Sequence, residues 1–440
     1  MAIRFLAVQY AIFTILSVSL FAQSPVPDSL ELPPLLQRLG VGPAGPDQTD
    51  DSLVTFVSAV NRVMGANPLI DALRADIRAA AGRLQQSRAR LNPELTAEVE
   101  DFGHGSGGGP GQTTLGIEQT FELWGKPKAR GESAQSELAA QQREAQRILL
   151  ELYRQTAASF SALLAAQENL ANARKRLDLA IRVQEAVRIK LNDGAVPASE
   201  LLRAKSSTKL AEIEVSHAEA EQARSQIALA VLWGGIPRAI QADGRLDWWM
   251  IDIAADTLLD LVNSHPEIRS LESQLEARRA EVRLARSVGK PDITLGGGIR
   301  RLHDNKNNAF LLWASLPLPI FNRNKGGVAG ASAQVKRLEA EVTAKKQQLG
   351  AELQQRILQL KAQQAEVAAI RGGVLPPAEE ALQAIDEAFR LGSQPYLNVL
   401  DAQRTLAEIE FRLVEVLVAG AQTASEIESL IGRSLTAAGR

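Results

Sequence analysis

The 440-residue chain has 49 basic and 51 acidic residues, a net charge of −2, no cysteine and only 4% aromatic residues. That balance excludes nucleic acid as an electrostatic partner, and the lack of thiols excludes disulfides, thiolate metal sites and an acylated cysteine. Abundant Ala, Leu, Gln, Glu and Arg point instead to long, closely packed helices.

Residues 1–22 have the form of a secretory signal. Arg4 precedes an apolar run from Phe5 to Leu20, and Leu20-Phe21-Ala22 before Gln23 suits cleavage. An N-terminal anchor is the competing reading, but Gln9 interrupts a run already shorter than the ~20 residues of a spanning helix. Residues 23–52, with Pro25, Pro27, Pro33, Pro34, Pro43 and Pro46, are expected to be an extended leader.

Beyond residue 52 the chain repeats itself at an offset of 198 positions. Asn67-Pro68 recurs as His265-Pro266, and Asn92-Pro93-Glu94-Leu95 as Lys290-Pro291-Asp292-Ile293. Gly194, Pro197, Leu202 and Ala204 recur as Gly392, Pro395, Leu400 and Ala402, and Trp233-Gly234 as Ile431-Gly432. Four landmarks in one register predict two tandem structural copies, 53–234 and 257–432, with a linker at 235–256 and a tail at 433–440.

Each copy predicts a short helix, two strands, a long helix and a second helix. In the first copy these are Pro68 to Leu91, strands near 94–102 and 113–123, Pro127 to Leu191, and Ala198 to Trp233. The long helix would reach about 100 Å. Its seam is a coiled coil: Leu149, Thr156, Leu163, Leu170 and Leu177 recur every seven residues, interleaved with Leu152, Ser159, Ala166, Ala173, Ala180 and Val187. The two shorter helices, stacked end to end beside it, would match its length. The second copy, Val328 to Phe389, keeps Leu338, Val342, Leu349, Leu353, Ile357 and Leu360 on a more polar helix.

The strands alternate with period two. Leu115, Ile117, Phe121 and Leu123 oppose Gly116, Glu118, Thr120 and Glu122; Leu95, Ala97 and Val99 oppose Thr96, Glu98 and Glu100. Strands near 291–301 and 309–320 repeat the pattern, with Ile293, Leu295 and Ile299 on one face and Phe310, Leu312, Ala314, Leu316 and Leu318 on another. Such strands suit a transmembrane barrel wall with Glu98, Glu100, Glu118 and Glu122 facing its water. A soluble sheet packed on helices is the alternative. Four strands are too few to close a barrel, so a membrane role requires several chains.

Little else offers chemistry. The loop from Gly103 to Gly111 lacks the Lys-Ser/Thr ending of a phosphate cradle, and His104, His217, His265 and His303 have no partner at metal-ligand spacing. No nucleophile–base arrangement is present, so neither an enzyme nor a cofactor is expected.

The tandem copies, the Asn-Pro helix start and the Gly392 to Leu400-Asp401-Ala402 segment resemble TolC-type outer-membrane efflux proteins. Leu316-Pro317-Leu318-Pro319-Ile320-Phe321-Asn322-Arg323-Asn324 is similar to the heavy-metal-efflux, CzcC-like branch. The resemblance implies a mostly α fold, in which a periplasmic coiled-coil tunnel carries a twelve-stranded barrel made by a homotrimer in the outer membrane. It implies a passive duct working with a periplasmic adaptor and an inner-membrane RND antiporter, and divalent heavy metals as cargo. A drug-efflux or type I secretion channel, and a periplasmic coiled-coil scaffold, remain open alternatives. The adaptor would meet two helical tips, Gly194-Ala195-Val196-Pro197 and Gly392-Ser393-Gln394-Pro395. The gate would involve Asp401, Asn398 where relatives carry a second acid, and Phe389 where they carry a hydroxylated aromatic.

Overall fold

The computed structural model describes residues 30–41, 53–100, 111–235, 240–251, 265–304 and 307–435. The expected signal segment, Asp101, His104 and the glycine-rich loop up to Pro110 lie outside them. The helix-forming composition and caps yield α1 (Pro34–Arg38), α2 (Phe56–Ala66), α3 (Pro68–Arg88), α4 (Lys126–Asn192) and α5 (Ala198–Val231) in the first half. The second half holds α6 (Pro266–Val288), α7 (Lys325–Ala369), a π-helical turn (Ile370–Val374), α8 (Leu375–Arg390) and α9 (Tyr396–Ile431). Helices α3 and α5 both pack along α4, as the matched lengths predict.

Landmarks 198 residues apart share local geometry. Asn67 caps α3 by accepting from the Leu69 N–H at 2.8 Å, and His265 caps α6 by accepting from the Glu267 N–H at 3.1 Å. Gly194 and Gly392 lie at φ +73° and +83°, and Gly234 and Gly432 at +69° and +64°, each ending a helix where a side chain would be strained. The predicted seam is buried throughout except for half-buried Ser159 and Leu177, and the six seam residues of α7 are all buried.

Four strands, β2 (Glu94–Glu100), β3 (Gln112–Phe121), β5 (Ile293–Leu302) and β6 (Asn308–Ser315), form an antiparallel sheet in that order. Two further three-residue strands, β1 (Leu53–Thr55) and β4 (Gln241–Asp243), pair in parallel.

Several expectations require correction. The last strand ends at Ser315 rather than 320, because Pro317 and Pro319 offer no N–H to a ladder. Likewise β3 ends at Phe121, leaving Glu122 and Leu123 outside it. The helix expected from Val328 to Phe389 is broken by the π turn at Arg371-Gly372-Gly373, ahead of Pro376 and Pro377. The leader is not extended throughout: Pro34 starts α1, whose Leu35 and Leu36 enter the first core cluster. Within the linker, the described residues 240–251 are packed, with β4 on β1 and Trp249 fully buried against α9 at Gly420.

Candidate functional site

The register sorts the sheet into two faces, since directly paired residues point the same way. Glu118 pairs with Glu94 and Gly296, Thr114 with Glu98 and Arg300, Gly296 with Trp313. One face therefore carries Glu94, Thr96, Glu98, Glu100, Thr114, Glu118, Thr120, Arg300 and Trp313. The other carries Leu95, Val99, Leu115, Ile117, Phe121, Leu295, Ile299, Phe310 and Leu312. The apolar face is the bare one: Phe310 is 87% and Leu312 92% exposed, whereas Thr114 is buried and Glu118 half-buried. This inverts the burial of a soluble half-covered sheet.

On the polar face Arg300 lies 3.0 Å from Glu100 and donates to the Thr114 hydroxyl at 2.9 Å. The Trp313 indole crosses β5 and donates to the Glu118 carboxylate at 3.0 Å. Its ring lies where a Cβ on Gly116 or Gly296 would stand, 2.4 and 2.1 Å away. Glu98 is exposed. Glu122 stands apart from the other three predicted lumen acids, held at the sheet–helix junction by two hydrogen bonds from Arg130 at 2.5 and 2.9 Å. Four acids on this face, Glu94 included, meet Arg300 alone, leaving a cation-favouring surface.

At the other end of the helices both predicted tips form turns. Ala195 N–H donates to Lys190 C=O at 2.8 Å and Ser393 N–H to Ala388 C=O at 2.9 Å, the six-to-one bonds of Schellman caps. Pro197 and Pro395 then occupy the N-caps of α5 and α9. Gly194, Ala195 and Pro197 are exposed with Val196 half-buried, and Gly392, Ser393, Gln394 and Pro395 are exposed, so both tips can be reached from solvent.

The three predicted gate residues are not brought together. Asn398 and Asp401 are exposed one turn apart on α9. Asn398 donates to the Gln394 side chain, not to Asp401. Phe389 is 1% exposed in a core with Tyr396, Val183, Val187, Ala204 and Val399, beneath the Lys190 ammonium 4.9 Å from its ring centre. Within this chain it packs the two tips against each other rather than standing exposed beside Asn398 and Asp401. A ring without a hydroxyl is free to be buried completely, with Tyr396 5.9 Å away.

Sequence reasoning missed Trp313, Tyr396 and Glu428. Trp313 had a signal: an aromatic beside Leu311 on a strand that pairs with Gly296-Gly297-Gly298, Trp313 itself opposite Gly296. Glu428 had none. It is fully buried, and its carboxylate accepts from Tyr153 Oη at 2.7 Å, Ser434 Oγ at 3.0 Å and the Leu435 N–H at 2.9 Å, joining α4 to the C-terminal helix.

Comparison with known proteins places this geometry. The family model described as "Outer membrane efflux protein" matches residues 59–235 and 258–433. The cobalt-zinc-cadmium resistance protein CzcC of Cupriavidus metallidurans is 29% identical over 434 residues, covering 98% of each chain. The pyoverdine export outer membrane protein OpmQ of Pseudomonas aeruginosa is 27% identical over 388 residues, covering 84% of this chain and 78% of its own. A crystal structure of CusC, described with conformational changes in folding and transmembrane channel formation, superposes with a TM-score of 0.75 at 18% identity. It covers 94% of this chain and 100% of that one, a likeness of fold.

Proposed function

We propose a function from a single premise: this chain belongs to the outer membrane efflux protein family. As a member it is an outer-membrane efflux channel. Three copies give four strands each to a twelve-stranded barrel, and their helices make a periplasmic tunnel from two tandem repeats. The observation that carries this is the inverted sheet, with Leu312 bare on one face and Glu118 held by Trp313 on the other. Lipid outside and water inside would satisfy both faces.

The duct is passive and needs neither a catalytic residue nor a cofactor. An inner-membrane RND antiporter supplies the energy, and an adaptor docks at Gly194–Pro197 and Gly392–Pro395. The cargo is divalent heavy-metal cations, by analogy with CzcC and with the acid excess of the polar face. Glu98, Glu100 and Glu118 line the barrel, and Asp401 rings the periplasmic entrance. The match to OpmQ supports a second reading, export of a larger organic solute. A deletion strain tested against zinc, cobalt, cadmium, copper and drugs separates the two. Sensitivity confined to metals upholds the first reading; unchanged metal tolerance with drug or siderophore sensitivity replaces it with the second. A periplasmic scaffold would give no heat-modifiable trimer in the outer-membrane fraction.

A further inference from the structure

The helix-proximal end of the sheet carries a feature that neither the duct nor the tips require. Past β6 the chain runs through Leu316, Leu318, Ile320 and Phe321, which are 49%, 70%, 62% and 99% exposed. Exposure here is not looseness, because the arm is pinned. Asn322 Oδ1 accepts from the Asn324 N–H at 3.0 Å, Asn324 donates to Ala285 C=O at 2.8 Å, and Arg323 donates to Pro319 C=O at 3.1 Å. Arg323 also abuts Gly289, where a Cβ would lie 2.4 Å from its carbonyl oxygen. Beside that contact, exposed Trp124 donates to Pro291 C=O at 2.9 Å, and the Lys290 ammonium sits 5.1 Å from its ring centre.

Charge at this junction is one-sided. Two of its carboxylates are consumed internally, Asp292 by Lys126 at 2.7 Å and Glu122 by Arg130, and Glu94 belongs to the sheet's polar face. Lys290, Arg323 and Lys325 are exposed and have no ion pair among the described residues. Apolar prongs next to uncompensated cations match one surface chemistry: acyl chains capped by anionic phosphate.

We infer that this collar is a phospholipid clamp. Phe321, Ile320, Leu318 and Trp124 enter the acyl region of the periplasmic leaflet, and Lys290, Arg323 and Lys325 hold the phosphate of an anionic headgroup. The inference rests on the sheet being a barrel wall, and it fixes where that wall meets the membrane surface.

The test uses the full-length trimer in nanodiscs of equal phosphatidylglycerol and phosphatidylcholine, with retained lipid read by native mass spectrometry. The wild-type chain is expected to retain phosphatidylglycerol preferentially. Lys290→Gln, Arg323→Gln and Lys325→Gln should each lower that preference about fivefold, with conductance unchanged. Brominated acyl chains should quench the wild-type protein more than its Trp124→Phe variant. Unchanged preference in the triple variant, or no Trp124 quenching, overturns the clamp. Equal thermal stabilisation by inorganic phosphate also overturns it, as would Phe321→Ser dissolving the trimer, which would assign the arm to a neighbouring copy. A wild-type chain that neither trimerises nor conducts overturns the barrel reading instead.

Discussion

The indole N–H of Trp313 donates to the Glu118 carboxylate at 3.0 Å, while its ring occupies the space above Gly116 and Gly296. Clearance, not backbone freedom, therefore requires those glycines: neither has a positive φ. Gly296→Ala should push the indole off the wall into the polar space and lower single-channel conductance, and adding Trp313→Ala should restore it. Unchanged conductance and unchanged tryptophan fluorescence in Gly296→Ala would remove the contact from the bore.

Leu115→Arg and Ile117→Arg should block membrane assembly, since a cation on the lipid face costs ~2–4 kcal/mol near the midplane. Phe121→Arg should be milder, because Phe121 ends its strand and the cost falls to about 0–1 kcal/mol near the interface. Glu118→Gln should assemble normally. Heat-modifiable trimers in outer-membrane fractions are the measurement, and equal defects across both faces would show the faces to be misassigned.

Gly392 stands at φ +83° in the second tip. Gly392→Val should strain the turn by about 1–2 kcal/mol, leaving trimers in the membrane but reducing metal resistance and adaptor crosslinking. Gly392→Asn, which tolerates that conformation better, should retain more of both. Full resistance with Val at this position would separate the tip from adaptor docking.

Asp401 is exposed on the second turn of α9, and three copies about one axis would form a carboxylate ring. Asp401→Ala should reduce cation preference and weaken block by multivalent cations in planar bilayers, with trimer stability unchanged. With Glu98, Glu100 and Glu118 lining the barrel as proposed, some preference should persist. An unaltered current–voltage relation and unaltered trivalent block would show a solvated helix charge and no gate.

Burial pushes His265 down from 6.5 to about 4, reinforced by Lys345 and Arg147 and opposed by Glu267. Because the native value lies below the unfolded one, the unfolded chain binds the proton first. The stability that neutral His265 confers is thus full above about pH 6.5 and lost as pH falls towards 4, on the order of 3 kcal/mol. Protonating Nδ1 would also abolish the cap on Glu267. His265→Asn, which supplies the cap that Asn67 gives the first copy, should flatten this pH dependence in urea melts between pH 4 and 7. An unchanged slope would assign it elsewhere.

Sequence alone determined the elements whose signals are local and repeated. Proline at a first helical turn, glycine at a positive φ, the seven-residue seam and the period-two strands each follow from short-range sterics or from one buried stripe. So α3, α4, α5, both tips and the two sheet faces were legible. What only tertiary structure decided depends on partners far apart in the chain. Three-residue strands such as β1 and β4 have no periodicity and exist only because they pair with each other. Phe389 was expected from resemblance near a gate; its burial depends on the apolar pocket that Val183, Val187, Ala204 and Val399 build from both tips. Trp313 lies on the polar face because glycines on two other strands leave room for an indole there. Glu428 is buried because Tyr153, 275 residues away, and the C-terminal turn converge on it. Local periodicity records which face is buried; which atoms fill it depends on complementary shapes and donors that only the folded chain brings together.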